Sequence, residues 1–181
     1  MRIDENRKLA WGVLVACVLV SLFGLGGMAL SRERSSVLKV FNEGTDTTLA
    51  TRHSMDAYLD NAGAQAAIMA SEAELRLGES DLSRRVQADA AILGDDSATL
   101  AERSRALTEL KSDVEQLYSR LYSDDFKDFK LAYDDFWGQC DLIKRDGYHQ
   151  LARDYNGLIS GVPGGLVATV TRQTALDTFG G

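Results

Sequence analysis

The residue types that could hold a metal ion form an incomplete set in this chain. A di-metal site in a helical bundle needs a Glu-x-x-His motif on each of two helices and two further carboxylates. The sequence offers one Asp146-x-x-His149 pair and one unrelated histidine, His53. We therefore predict no metal site and place His149 on a helix surface.

Residues that could catalyse a reaction are equally scattered. Cys140 falls in an apolar helical stripe, where a thiol is inert rather than activated. The glycine-rich stretch Gly157–Gly165 lacks the Lys-Ser/Thr pair of a phosphate-binding loop and is typical of a helix end. An acidic cluster is interleaved with Lys127 and Lys130, which indicates a solvated, paired face; its members are Asp124, Asp125, Asp128, Asp134 and Asp135. We predict that the protein is not an enzyme and has no cofactor and no small-molecule substrate.

The elements that position these residues begin with an apolar run at Leu9–Leu30, which contains 22 residues and no charge. Crossing the hydrocarbon core of a bilayer takes about 20 apolar residues. Charged residues lie on both sides of the run, Arg7 and Lys8 before it and Arg32 after it. The run predicts a single transmembrane anchor in the lipid bilayer.

A cleaved signal peptide is the alternative for the same run. Gly27 and Ala29 have the spacing that signal peptidase accepts, but the run is longer than the roughly 7–15 apolar residues of a signal core. Basic residues near the run differ little between its two sides, so they leave the side of the remaining chain undecided.

Composition favours an acidic, helical protein. The chain has 27 acidic and 20 basic residues among 181, a net charge of −7. Such a surface repels phosphate backbones, so nucleic acid is not an expected partner. Cys17 and Cys140 offer no disulfide within the part outside the membrane. Pro163 is the single proline, and nothing before it from Ser31 onward forbids helix, which predicts an all-α fold.

Helix signals divide the chain after the anchor. We expect the anchor to continue as helix through Val37–Phe41, a second helix over Asp46–Leu77 that stops at Gly78, and a third over Leu82–Leu93. Thr99 with Glu102 forms a capping box before the next helix. That helix carries an apolar repeat in steps of three and four, a pattern typical of packed helices, at Leu100, Leu107, Leu110, Val114, Leu117 and Leu121.

A second repeat predicts the last long helix. After a turn at Ser123–Asp125, apolar residues recur in steps of three and four, shift phase near Gly147 and continue to Val162, about 35 residues in all. Two such helices joined by a short turn should lie antiparallel. Pro163 ends the helix and leaves a tail without periodicity. The repeat comprises Phe126, Phe129, Tyr133, Phe136, Cys140, Ile143, Tyr148, Leu151, Tyr155, Leu158 and Val162.

The last third of the chain resembles the LemA family, whose final helix carries two Tyr-Asn pairs seven residues apart, followed by an aromatic-proline pair and an alanine. The resemblance is strongest over residues 148–168, extends back to about residue 107 and is weak over 44–95. His149 replaces the first Asn, and Val162 replaces the aromatic residue before the proline. The matching positions are Tyr148-His149, Ala152-Arg153-Asp154, Tyr155-Asn156, Ile159, Pro163, Leu166 and Ala168.

The resemblance implies an N-terminal anchor leading into an elongated antiparallel helical bundle, in a family without an established catalytic activity. It divides the chain into a leader and anchor (residues 1–30), a LemA-like bundle (31–162) and an irregular tail (163–181).

The Tyr-Asn motif also has a physical interpretation. Seven residues turn a helix by about 700°, so Tyr148 and Tyr155 lie on one stripe. Two hypotheses follow for this stripe: it packs within the chain, or it recognises a partner. The candidate interaction or packing face consists of Tyr148, Leu151, Arg153, Tyr155, Asn156 and Leu158.

These patterns predict a scaffold or docking module on a single transmembrane helix, and the LemA resemblance implies the cytoplasmic membrane of a bacterial cell envelope. Its expected partner is a second copy or another envelope protein. A membrane-tethered sensory or stress-signalling bundle is the alternative, because helix is predicted to run from the anchor into Val37–Phe41.

Overall fold

The computed structural model describes residues 3–44, 54–78, 80–121 and 127–179. Its regular elements are all helical within those ranges, which confirms the predicted all-α class. The predicted helix start at Asp46, His53 and the turn Ser123–Asp125 with Phe126 lie outside the described residues. The elements are α1 (Ile3–Val20), a π-helical turn (Ser21–Leu25), α2 (Gly26–Glu43), α3 (Met55–Leu77), α4 (Asp81–Leu93), α5 (Leu100–Leu121), α6 (Lys127–Arg145), α7 (Tyr148–Ser160) and α8 (Gly164–Thr171).

The helix ends follow local hydrogen bonds that the sequence predicts. Gly78 adopts a φ of 80°, which only glycine reaches without strain, and it ends α3. The Ser80 hydroxyl accepts a hydrogen bond from the Ser83 amide at 3.1 Å and so caps α4. In the capping box, the Thr99 amide donates to Glu102 at 2.8 Å and the Glu102 amide donates to the Thr99 hydroxyl at 3.3 Å.

Two compact units make up the chain, and each is described by itself. The first unit contains Met1–Leu38 and Leu151–Leu176, and the second contains Lys39–Gln150 and Asp177–Gly181. Each draws on separate stretches of the chain, an arrangement that a division by sequence position alone cannot give.

Helices α3 to α6 form the core of the second unit. The small residues of α3 let its neighbour approach closely: a Cβ added to Gly63 would lie 2.8 Å from the carbonyl oxygen of Ala90 on α4. The apolar repeat of α5 is buried from Leu107 to Leu121, as its spacing predicts. Burial of each such leucine stabilises the fold by roughly 1.5–3 kcal/mol.

The prediction that the two helices with the longest apolar repeats, α5 and α6, bury each other's repeats is wrong. Helix α6 packs mainly against α3, and α5 packs mainly against α4. Helices α5 and α6 meet through stacked rings, with the centroids of Tyr118 and Tyr133 3.8 Å apart. Since α3 and α4 also carry apolar faces, the longest repeats have other surfaces available and need not bury each other.

Two further predictions about the C-terminal third are also wrong. The predicted 35-residue helix is broken, with α6 ending at Arg145 and α7 beginning at Tyr148. The predicted irregular tail contains α8 and buries Val167, Leu176 and Phe179. A short helix of β-branched and small residues shows no period, so this element escaped the pattern analysis.

Candidate functional site

The predicted interaction face lies on α7, which begins at a local cap. A carboxylate oxygen of Asp146 accepts a hydrogen bond from the Tyr148 amide at 2.7 Å. Asp146 directly follows the end of α6 at Arg145, and Gly147 lies between Asp146 and the first residue of α7. The cap explains the phase shift of the apolar repeat near Gly147, because a new helix starts there with its own orientation.

Tyr148, within the second unit, is completely buried. Its hydroxyl donates to the backbone carbonyl of Asp177 at 2.8 Å. Its ring meets Phe41 edge-on at a centroid distance of 5.1 Å, and Phe179 lies 6.3 Å away. The first tyrosine of the motif therefore packs inside the chain, where it holds residues 177–179.

Tyr155 and Asn156, within the first unit, contact the same C-terminal segment. The buried Tyr155 donates its hydroxyl hydrogen to the side-chain oxygen of Gln173 at 3.3 Å. The Asn156 amide donates to the Leu176 carbonyl and its Oδ1 accepts from the Leu176 amide, both at 2.8 Å. An asparagine side chain thus satisfies both backbone groups of one residue, which a hydroxyl or a carboxylate cannot do with the same geometry.

The other members of the face are more accessible. Leu151 is half-buried, Arg153 is exposed, and Leu158 is 53% exposed. The six residues therefore separate into Tyr148, Tyr155 and Asn156, whose side chains bind the chain's own C-terminal segment, and three positions around them. The C-terminal segment was not predicted to pack because its residues show no helical periodicity. The large apolar residues Leu176 and Phe179, of types usually buried, were the signal that it does.

His149 does not lie on a helix surface, contrary to the sequence prediction. It is 6% exposed, and its Nε2 donates to the carbonyl oxygen of Ile143 at 2.7 Å. The carbonyl groups in the last turn of a helix have no hydrogen-bond donor within that helix. The His149 ring provides such a donor for the Ile143 carbonyl near the end of α6. In the described part of the chain, no group of three or more His, Cys, Asp or Glu residues is placed to hold a metal ion.

Cys140 and the acidic face of α6 have structural surroundings. Burial raises the pKa of the Cys140 thiol to about 11, so the nucleophilic thiolate is suppressed at neutral pH. Lys130 pairs with Asp134 at 2.5 Å across one helical turn, as the interleaved charges predict. Asp124 and Asp125 lie outside the described residues.

A buried charge cluster that no sequence pattern indicates surrounds Arg103, which is 3% exposed. Its guanidinium donates to Asp56 at 2.6 Å, to Asp60 at 3.0 Å and to the backbone carbonyl of Leu93. Burial raises the pKa of Asp60 and the charge of Asp56 raises it further, whereas Arg103 lowers it. The cluster joins α3, α4 and α5, and its partners are too distant in sequence for any spacing rule to connect them.

Within the first unit, an apolar groove of about 330 Å³ lies beside the N-terminal helix. Close packing forms one wall: a Cβ added to Gly26 would lie 3.4 Å from Val167, and one added to Gly27 would lie 2.7 Å from Thr171. The lining residues include Leu22, Ala29, Leu30, Leu158, Pro163 and Gly164. Glu33 is the one charged residue of the lining, and the other lining residues are apolar or glycine. This largely apolar lining suits hydrocarbon rather than a polar substrate.

The helix beside this groove is long and apolar enough to span a membrane. It runs over Leu9–Glu43, with a mean hydropathy of 2.5 in its most apolar window, and only 11% of that window is buried within the structure. Comparison with family models, with curated protein sequences and with solved structures gives no match. The LemA resemblance therefore stays a prediction from the residues that carry it.

Proposed function

We propose that this protein is a single-pass, membrane-anchored helical scaffold or docking module without catalytic activity. The observation that carries the proposal is the bare surface of the N-terminal helix. Leu9, Trp11 and Val20 are 70%, 62% and 71% exposed, so the chain itself leaves these side chains uncovered. Contiguous exposed apolar surface of this kind marks a membrane or protein contact. The length and composition of the helix fit a bilayer.

The docking part of the proposal rests on the nature of the second unit. Its reactive groups are used structurally: Cys140 is buried with a raised pKa, and Arg103 is held by carboxylates. It presents exposed apolar side chains on α3 and α6, among them Leu75 at 81% and Leu131 at 60%. A second copy or an envelope protein is the proposed partner. An antiparallel, LemA-like bundle is the proposed architecture of the described helices.

Extraction of membranes with alkaline carbonate tests the anchor. The full chain should stay in the membrane fraction with residues 1–29 present by mass. Each arginine at the centre of a membrane helix costs about 2.5–3.5 kcal/mol, so Val15→Arg with Val18→Arg should release the protein. Leu75→Arg is the matched control, since it adds the same charge at an exposed apolar position of the second unit. A native protein that carbonate releases, or one that begins near Leu30, would contradict the anchor.

Chemical cross-linking in native membranes tests the docking role. A discrete complex of constant stoichiometry is expected, and it should weaken when Leu75 and Leu131 are both changed to Ser. The matched control is Ser112→Ala on α5, because it alters another part of the second unit without removing an apolar side chain. A chain that stays monomeric at its natural abundance would refute the scaffold.

The sensory alternative is supported by the continuity of α2. This helix runs unbroken from Gly26 to Glu43, and near its end Phe41 stacks on Phe179 at a centroid distance of 5.8 Å. A sensor should change hydrogen exchange around Phe41 when the cell envelope is stressed, with or without a stable partner. A scaffold should show the stable complex and unchanged exchange.

A further inference from the structure

A second charge-free stretch lies near the C-terminal end, over residues 155–171. These 17 residues lie between Asp154 and Arg172 and include no Asp, Glu, Lys, Arg or His. They form the end of α7, a tight turn and all of α8. Four aliphatic side chains in the stretch are largely uncovered: Leu158 at 53%, Val162 at 90%, Leu166 at 58% and Val170 at 61% exposed.

This stretch packs against the candidate membrane helix within the first unit. Helix α8 contacts the Ser21–Leu25 turn, and Val167 and Thr171 pack on Gly26 and Gly27. Gly27 lies three residues before the end of the uncharged run at Leu30, and Ser21 lies nine before it. At the helical rise of 1.5 Å, those positions are about 5 and 13 Å inside the end of the run. Half of a hydrocarbon core is about 15 Å thick, so α8 lies at the level of the acyl chains if the run spans the bilayer.

Several backbone amides of the stretch have acceptors within the chain, as a lipid environment requires of exposed N–H groups. Across the turn, the Gly161 amide donates to Gly157 at 3.2 Å, that of Gly165 to Gly161 at 2.6 Å and that of Leu166 to Pro163 at 3.1 Å. Pro163 itself has no N–H to satisfy. The turn is also closely packed, because a Cβ on Gly164 would overlap the Leu158 carbonyl.

We propose that residues 155–171 form a re-entrant hairpin that enters the same bilayer beside the anchor, with lipid acyl chains covering Leu158, Val162, Leu166 and Val170. This proposal rests on the proposed membrane anchoring. Lipid is the occupant that the structure favours, because these side chains continue the apolar surface of the helix on which α8 packs. Asp154 and Arg172 mark the two ends at which the hairpin leaves the hydrocarbon.

Site-directed fluorescence quenching tests the hairpin in the full chain. Cys17→Ala and Cys140→Ala remove the native thiols, and one cysteine at a time is introduced by Leu166→Cys, Leu14→Cys or Leu75→Cys for labelling with a nitrobenzoxadiazole dye. The proteins are reconstituted in phosphatidylcholine vesicles with or without a lipid that carries a nitroxide on its acyl chain. Leu14 lies in the anchor and is 55% exposed, and Leu75 is an exposed apolar position of the second unit.

The dye at position 166 should lose a fraction of its emission close to that lost at position 14, while the dye at position 75 should lose little. Val170→Cys provides a second site if the first variant has reduced helicity by circular dichroism. Quenching at 14 without quenching at 166 and 170 would overturn the hairpin and leave the anchor intact. Absence of quenching at 14 would overturn both the anchor and the hairpin.

Discussion

Replacement of Asn156 by alanine should release the C-terminal segment from α7. The change removes two hydrogen bonds of 2.8 Å to Leu176, a residue that is 3% exposed. Each such bond contributes about 1 kcal/mol net, and a buried backbone group left without a partner costs about 1–3 kcal/mol. Local relaxation of the C-terminal segment lowers the penalty for the unpaired backbone groups, so we expect about 2–3 kcal/mol of local destabilisation.

Hydrogen exchange measured by mass spectrometry in detergent micelles follows this segment directly. A tenfold change in an equilibrium constant corresponds to about 1.4 kcal/mol, so amides of residues 173–176 should exchange roughly 30- to 150-fold faster. Asn61→Ala is the control, because Asn61 is an exposed asparagine on α3. Unchanged exchange in the Asn156 variant would refute the proposed role of the amide.

Three further changes test other parts of the structure. Leu117→Ala should destabilise the second unit by about 2–5 kcal/mol in chemical denaturation, whereas Leu75→Ala, at a position 81% exposed, should stay within about 0.5 kcal/mol. Gly164→Ala should lower the thermal midpoint because of overlap with a backbone carbonyl, whereas Gly157→Ala, with open space around it, should raise stability by about 0.5–1 kcal/mol. Burial and the hydrogen bond to the Glu115 carboxylate raise the pKa of Tyr133 to about 12, so ultraviolet titration should lose a tyrosine transition near that pH in Tyr133→Phe. The stability linked to that hydroxyl is complete below pH 10 and is lost as the pH rises towards 12.

The sequence by itself determined the features that depend on neighbouring residues. The cap at Thr99 and Glu102 joins residues three apart, and the stop at Gly78 needs one residue with a positive φ. The apolar repeat of α5 fixes which of its sides is buried, and the charge-free run at Leu9–Leu30 predicts the long apolar helix found at the N-terminal end of the described residues. Such features are readable because their partners lie within a few residues along the chain.

Tertiary structure decided the contacts for which several partners were available. Helix α6 could have packed on α5 by its pattern, yet α3 offers the surface that it uses. Arg103 and Asp56 are 47 positions apart in the sequence, and Asn156 and Leu176 are 20 apart. No helical periodicity connects residues at such separations. Whether a tyrosine stripe faces solvent, a partner or the chain itself depends on where a short, aperiodic segment lies, and only the folded chain brings residues 173–179 onto α7.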